Sequence, residues 1–502
     1  MIKSMFGLFG VLVMLMIAAC TPQSPKTPNV VIIYTDDLGI GDVSCYEAGT
    51  LNTPGIDKMA EEGIRFSRGY ATAATCTPSR YSLLTGEYPW RNKRAAVLPG
   101  NAALLIDTAA ATLPKLFKEN GYTTGVVGKW HLGLGDGFVN WNEHIALGAN
   151  AVGFDYSYIM AATNDRVPTV YVEDGNVVNL DKSDPIEVNY YKNFEGEPTG
   201  KDNPELLKIH PSHGHNKSIT NGISRIGYMK GGKSALWVDE DMADNFLDKA
   251  RQFVSDNQDK PFFLFYTLHQ PHVPRVPNPR FAGKSGMGPR GDAILEADWC
   301  VSEFLKTLDE LGLSENTLVI FSSDNGPVID DGYKDQAEEL LGDHRPWGNL
   351  RGGKYSLYDA GTRVPFIARW KGEIEPGVSD AMISQVDFFG CFAQMLGSEN
   401  KGPDSKMLLP VLTGRSDEGR TQYITEGLQR KLAYHEEGWV LIPPYEGSKK
   451  VPWGVDMETG FSTEPQLYNL ASDPAQQHDV AAEHPERVAT MMKHFETIRD
   501  RK

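Results

Sequence analysis

The chain has 502 residues, 40% of them hydrophobic and 23% charged, with 50 Gly and 31 Pro, the size and balance of an enzyme with one large domain and a smaller one. Its formal net charge of −17 excludes a nucleic-acid partner, whose phosphates it would repel. An anionic substrate stays open, because a local pocket of cations reverses the field at a site.

The first stretch is a processing segment. Lys3 precedes an apolar run from Met5 to Ala19, and Ile17-Ala18-Ala19-Cys20 leads into a Pro-, Ser- and Thr-rich spacer from Thr21 to Pro28. This is the pattern of a bacterial export signal. The small residues before Cys20 resemble a lipobox, implying a signal peptide over 1–19 and a lipidated Cys20 with its linker over 20–28. The alternative is an ordinary signal peptide with an incidental cysteine. No later stretch has the ~20 apolar residues needed to span a bilayer. The expected product is a globular enzyme of the periplasm or cell surface, tethered by lipid.

Asn29 to Thr35 is a continuous apolar, β-branched run, as expected of a strand buried on both faces. It ends abruptly in Asp36-Asp37-Leu38-Gly39. In open α/β sheets ligands bind beyond the carboxyl ends of strands. Two adjacent carboxylates repel unless a cation lies between them, and oxygen ligands suit Ca²⁺ or Mg²⁺. Taken alone, the pair reads equally well as turn and N-cap aspartates.

The stretch Ala74-Thr75-Cys76-Thr77-Pro78-Ser79-Arg80-Tyr81-Ser82-Leu83-Leu84-Thr85-Gly86 passes from polar loop to helix. Pro78 suits the first helical position, which sets Cys76 just ahead of a helix N-terminus, where free amides and the dipole favour an oxyanion. Alone, Cys76 would read as a buried cysteine at a loop–helix junction. The five cysteines, Cys20, Cys45, Cys76, Cys300 and Cys391, show neither a disulfide framework nor zinc spacing.

Three further buried-type runs end as abruptly. Gly125-Val126-Val127 runs into Gly128-Lys129-Trp130-His131-Leu132-Gly133, Pro261 to Thr267 into Leu268-His269-Gln270-Pro271-His272-Val273-Pro274, and Thr317 to Phe321 into Ser322-Ser323-Asp324-Asn325-Gly326. Helical patterns over Thr112–Asn120 and Met242–Asn257 lie between them, and such alternation predicts a mostly parallel sheet with helices on both faces. Gly352-Gly353-Lys354 sits in a loop, where a solvated lysine is the plain reading. From 416 onward, short alternating runs (Gln422–Thr425, Lys431–His435, Trp439–Ile442, Gln466–Leu470) predict a small antiparallel sheet, followed by a helix over Ala481–Asp500. The expected division is thus a catalytic domain over 29–415 and a C-terminal subdomain over 416–502.

Cys-x-Pro-Ser-Arg followed by Ser-Leu-Leu-Thr-Gly resembles the signature of type I sulfatases, in which the cysteine is oxidised to formylglycine. The remaining strand ends resemble the motifs of the same family in the same order. The resemblance implies an alkaline-phosphatase-like α/β fold: a mostly parallel sheet sandwiched by helices, with a small C-terminal α+β subdomain. It also implies that Asp36, Asp37, Asp324 and Asn325 hold one Ca²⁺, with an oxygen of modified Cys76 and the substrate sulfate completing the shell. Arg80 would fix the formylglycine, and Lys129 and Lys354 would neutralise sulfate oxygens. His131 and His272 match the two catalytic histidines, His272 rather than His269 standing in the Pro-His-x-Pro position. A sulfate monoester is itself an anion, so metal and lysine charge must offset its repulsion of a nucleophile. The hydrated aldehyde presents two hydroxyls, one to attack sulfur and one to lose its proton and expel sulfate, while His272 protonates the departing sugar oxygen. A sulfatase-maturing enzyme is the implied partner.

The stretches Gly153–Tyr156, Ala162–Pro168 and Val170–Glu173, then His210 to His215 and Arg225-Ile226-Gly227-Tyr228, resemble a substrate-facing insertion of bacterial carbohydrate sulfatases. Asn164, Asp165, Arg166, His215 and Arg225 are its candidate sugar-binding residues, against the reading of a long surface insertion without ligand contact. The resemblance leans to 6-O-sulfated galactose or N-acetylgalactosamine of host or algal glycans. Two other readings stand beside it: a phosphonate or phosphate ester hydrolase of the same superfamily, and an inactive glycan-binding surface lipoprotein.

Overall fold

Alternate residues of the first predicted strand enter different cores. Val30, Ile32 and Tyr34 join one hydrophobic cluster, and Val31 and Ile33 join another on the opposite face. A computed structural model describes residues 27–46 and 49–501; the predicted signal segment and Cys20 lie outside the described residues.

The main sheet has ten strands: Asn29–Thr35 (β1), Ile64–Phe66 (β2), Thr123–Lys129 (β3), Tyr156–Met160 (β4), Tyr171–Glu173 (β5), Asn176–Val177 (β6), Phe262–Thr267 (β7), Thr317–Ser323 (β8), Phe366–Arg369 (β9) and Gly377–Ser379 (β10). Their order is β10-β2-β9-β8-β1-β7-β3-β4-β5-β6. The central strands β8, β1, β7, β3 and β4 are mutually parallel, while β9, β5 and β6 run antiparallel to their neighbours.

Helices Pro54–Glu61 (α1), Met242–Asp256 (α4) and Gly288–Glu310 (α5) cover one face through Ile56, Met59, Phe246, Leu247, Phe304 and Leu308. Helices Cys76–Thr85 (α2), Leu113–Glu119 (α3) and Asp387–Leu396 (α6) cover the other through Leu83, Leu84, Phe117, Phe388 and Phe392. Each such side chain contributes about 1.5–3 kcal/mol when fully buried. A one-residue slip of β1 would transpose both sets between cores, which pins its register and the aspartates that follow it.

Helix α3 starts where the pattern predicts, with Thr112 Oγ1 accepting from Lys115 N at 3.4 Å. Helix α2 begins two residues earlier than expected, at Cys76, with Thr75 as N-cap. Pro78 therefore sits in the third position. This costs nothing, because N–H groups of the first turn have no intrahelical acceptor. The C-terminal region forms the antiparallel sheet Gln422–Glu426 (β11), Leu432–Glu436 (β12), Trp439–Ile442 (β13) and Gln466–Asn469 (β14). Helix Pro485–Arg499 (α7) packs on it through Met491 and Phe495, against Tyr434, Leu441 and Leu467.

Candidate active site

Parallel register brings four sequence motifs to one edge. Thr35 pairs with Ser323, Tyr34 with Thr267, and Thr267 with Gly128, so β1, β3, β7 and β8 end level. Asp36, Lys129, the His269–His272 loop and Asp324 therefore emerge side by side. Asp37 adopts φ 62°, a left-handed conformation that costs a non-glycine residue energy. It is held there as Asp37 N donates to Asp324 Oδ1 (3.3 Å) and Asn325 Nδ2 donates to Asp37 Oδ1 (2.7 Å).

Asp36, Asp37 and His272 offer ligand atoms that all lie within 4.8 Å of one another. Two buried oxygens beside them, Asp36 Oδ1 and Asn325 Oδ1, have no hydrogen-bond partner. Both aspartates are pushed above the ordinary carboxylate range. Burial is the main cause; Asp324 adds to it, and Lys129 opposes it at Asp36 as Lys354 does at Asp37. The cluster calls for more positive charge than two lysines supply. Its orphaned oxygens and hard donors fit a divalent cation, with Asp36, Asp37 and Asn325 among the residues placed to hold it.

The cations are anchored from below. Arg80, wholly buried, places Nε 2.9 Å and Nη2 2.8 Å from Asp324 Oδ2, and its Nη1 donates to Lys129 O at 3.1 Å. Burial works against ionised Asp324, yet Arg80, Lys129 and Lys354 hold its carboxyl below the ordinary value. Lys129 Nζ pairs with Asp36 Oδ2. Lys354 Nζ lies 2.8 Å from both Asp37 Oδ2 and Asp331 Oδ2. Burial penalises this ammonium, but Asp331 and Asp37 more than offset the penalty and push its pKa well above the ordinary value. Lys354 is thus no solvated loop lysine.

Cys76 Sγ is 3.2 Å from His131 Nδ1, and His131 Nε2 donates to Leu98 O at 2.8 Å. Burial pushes the Cys76 thiol up against the pull of Lys129 and Lys354. Across the site, His272 Nδ1 donates to Val273 O at 2.6 Å, which leaves Nε2 turned toward Asp37 Oδ2 at 3.9 Å. Burial, Lys354 and Lys129 together lower the His272 pKa well below the ordinary value. His269 packs its ring against Phe246 outside this constellation.

A cavity of about 540 Å³ opens over Cys76. Of the predicted sugar-binding residues, Asp165, Arg166 and His215 line it. They form one unit: Arg166 Nη1 lies 2.7 Å from Asp165 Oδ1, and His215 Nε2 lies 2.9 Å from Asp165 Oδ2. Burial disfavours the Asp165 carboxylate, and Arg166, His215 and His272 override it, holding the group well below the ordinary range. Arg225 and Asn164 stand elsewhere. Arg225 is wholly buried behind the cavity, with Nη2 on Asp239 at 2.7 Å and Nη1 on Asn164 O at 2.6 Å. Asn164 Nδ2 donates to Pro274 O at 3.1 Å. Both brace the His272 loop, and neither lines the cavity. Of the five candidate sugar-binding residues, three therefore line the cavity and these two do not.

Sequence reasoning passed over Asp331, Tyr355, Trp453 and the Glu426–Arg430 turn, all on the cavity wall. Asp331 carries a local signal, lying seven residues beyond Asp324. Glu426 and Trp453 carry none, since they reach the site only through the fold.

The sulfatase family model matches residues 28–398. An N-acetylgalactosamine-6-O-sulfatase of Bacteroides thetaiotaomicron is 50% identical over 483 residues, 95% of this chain and 94% of that protein. Human arylsulfatase A is 31% identical over 402 residues, 78% of this chain and 68% of that one. A solved structure from a study of glycosaminoglycan metabolism by B. thetaiotaomicron superposes with a TM-score of 0.93 at 50% identity, over 95% of this chain and all of that one. With its cysteine, its acidic cation cluster and its two lysines gathered at one sheet edge, the chain belongs to the sulfatase family, sulfuric ester hydrolases that work with a formylglycine and a divalent metal ion.

Proposed function

We propose that this chain is a calcium-dependent sulfatase that removes the 6-O-sulfate of galactose or N-acetylgalactosamine units in host or algal glycans. The observation that carries the substrate is the 50% identity, over nearly the full length of both chains, with the N-acetylgalactosamine-6-O-sulfatase. Calcium is favoured by the donor set, whose four proposed ligand side chains offer only carboxylate and amide oxygens. A sulfatase-maturing enzyme oxidises Cys76, and the Ile17-Ala18-Ala19-Cys20 pattern supports a lipid anchor at Cys20, in the periplasm or at the cell surface.

When present, the hydrated aldehyde derived from Cys76 supplies the nucleophile and the cation supplies charge beside it. The chain's own residues do the rest. Lys129 and Lys354 meet the sulfate oxygens and offset the charge that grows on them in the transition state. Arg80 holds Asp324 and the end of β3 in place beneath them. Since His131 spends its Nε2–H on Leu98 O, its Nδ1 is an acceptor aimed at position 76. Burial, then Lys129 and Arg166, hold its pKa well below the ordinary value and keep the ring neutral, as a general base requires. His272 presents Nε2 as the acid for the departing sugar oxygen. Burial, then Lys354 and Lys129, lower its pKa, and the incoming sulfate offsets the lysine part of that shift.

The test is sulfate release from mono- and disaccharides sulfated at O2, O3, O4 or O6, using protein co-expressed with a maturase and Cys76→Ala as control. Turnover is expected on a 6-O-sulfated galacto-sugar, lost on chelation and restored by Ca²⁺. Release from another ring position would refute the substrate assignment. No release from any sugar by aldehyde-bearing protein would refute carbohydrate sulfate as the substrate class.

A further inference from the structure

The cavity has a second wall that the chemistry above does not use. It comes from the C-terminal sheet: Glu426 ends β11 and is followed by Gly427, Leu428, Gln429 and Arg430, all five lining the cavity. Glu426 is 2% exposed, and its Oε2 is a buried atom with no hydrogen-bond partner. No ion pair to Glu426 occurs among the described residues. The guanidinium of Arg430, four residues on, is spent on Lys93 O and Trp90 O at 2.6 and 2.8 Å. A buried carboxyl without partners costs stability, and in native proteins such a group generally meets a ligand, an ion or an ordered water.

Its position is rigid and deliberate. Glu426 N donates to Thr72 O at 3.0 Å, and Glu426 O accepts from Ala74 N at 2.7 Å. The residue is thereby stitched to the loop that delivers Cys76 two residues later. Beyond it the backbone is strained. Gln429 and Arg430 are both left-handed, at φ 55° and 61°, conformations that non-glycine residues hold in succession only under constraint and that cluster at ligand sites. Gln429 is exposed at the cavity mouth.

Charge decides what this wall receives. Sulfate is claimed by Lys129 and Lys354, and a carboxyl group is the wrong neighbour for a second anion. We propose that Glu426 is a specificity-determining residue that exchanges hydrogen bonds with an uncharged hydroxyl or acetamido group of the sulfated sugar, orienting the ring whose sulfate reaches Cys76. The inference rests on the carbohydrate-sulfatase reading above. Burial pushes this carboxyl up to about 8, with Arg430 opposing, so at neutral pH the group both donates and accepts, as a sugar hydroxyl needs.

The experiment compares wild-type, Glu426→Ala and Glu426→Gln enzyme, all co-expressed with a maturase, on N-acetylgalactosamine 6-sulfate and galactose 6-sulfate. Inhibition by inorganic sulfate reports the anion half of the site separately. Glu426→Ala is expected to lose at least tenfold in kcat/KM, mainly through KM, with the sulfate inhibition constant within twofold of wild type. Glu426→Gln, an isosteric neutral donor and acceptor, should stay within about threefold. A larger loss on the acetamido sugar identifies that group as the partner, and equal losses identify a ring hydroxyl. An Ala variant within twofold of wild type on both sugars overturns the inference, as does sulfate inhibition weakened as much as KM. Failure of the underlying reading looks different, since wild-type enzyme would then release sulfate from neither sugar.

Discussion

Asp42 closes the turn that follows Asp36 and Asp37, and neutralising it tests how the cation loop is held. The residue is wholly buried; Arg290 approaches it with Nη1 and Nη2 at 2.8 and 2.7 Å, His344 Nε2 lies 2.8 Å from Oδ1, and Gly39 N donates to Oδ2 at 2.9 Å. Burial works against the charge, but Arg290 and the hydrogen bond from His344 overcome it and lower the pKa from 3.8 to about 2. A depressed carboxylate pKa stabilises the fold above the unfolded value and loses that contribution as pH falls through the folded one. At 1.36 kcal/mol per unit the shift corresponds to about 2 kcal/mol, present at neutral pH and lost between about pH 4 and 2. Asp42→Asn also leaves the Arg290 guanidinium buried without its counter-charge, which typically costs about 3–5 kcal/mol. Urea unfolding followed by circular dichroism should therefore show the variant less stable by about 3 kcal/mol at pH 7. The gap should narrow by about 2 kcal/mol as both proteins are taken from pH 5 to pH 2, where Asp42 is half protonated in the folded protein. A gap under 1 kcal/mol, or one that does not change with pH, would refute the reasoning.

Cys76→Ser should give at most one turnover per site, because a serine can accept sulfate but has no second hydroxyl with which to expel it; sustained release in a stopped assay would contradict this. His272→Ala should lower kcat on a sulfated sugar by about 10²–10⁴ and lower it far less on an aryl sulfate, whose leaving group needs no proton. Equal losses on the two substrates would remove His272 from the role of acid. Cys20→Ala should abolish incorporation of labelled palmitate into protein made in a bacterial host, while persistent labelling would place the lipid elsewhere.

The half of the site that holds sulfate and cation is legible in the chain for a physical reason. A strand buried on both faces has no use for Asp36, Lys129 or Asp324 at its end, so each abrupt change from apolar to polar marks a ligand-facing position, and the parallel register of β1, β3, β7 and β8 then levels all four ends. The sugar-facing half is harder to read. Loops have no periodicity, and an arginine in an insertion looks the same whether it meets substrate or, as Arg225 does, spends its charge on Asp239 fourteen residues later. Taken alone Lys354 reads as a surface lysine, and only the family motif marks it, because its partners Asp37 and Asp331 lie 317 and 23 residues earlier in the chain. The start of α2 was misjudged by two residues because proline is tolerated throughout a helix's first turn.

The two walls of the cavity divide the work in a way that accounts for the C-terminal sheet. The catalytic sheet supplies fixed charge, which binds any sulfate monoester and cannot by itself tell one sugar from another. Discrimination needs neutral hydrogen-bonding groups placed against the ring, and leaving such a group unpaired is what makes a wrong substrate costly. On the insertion side, Asp165, Arg166 and His215 line the cavity as one hydrogen-bonded unit. Glu426 lines the same cavity from the end of β11. Its backbone is bonded to Thr72 and Ala74, which ties the C-terminal sheet to the loop that carries Cys76. The wall proposed to recognise the ring and the loop of the reacting position are therefore joined directly by backbone hydrogen bonds, so the distance from Glu426 to residue 76 is set by the fold and not by a flexible linker.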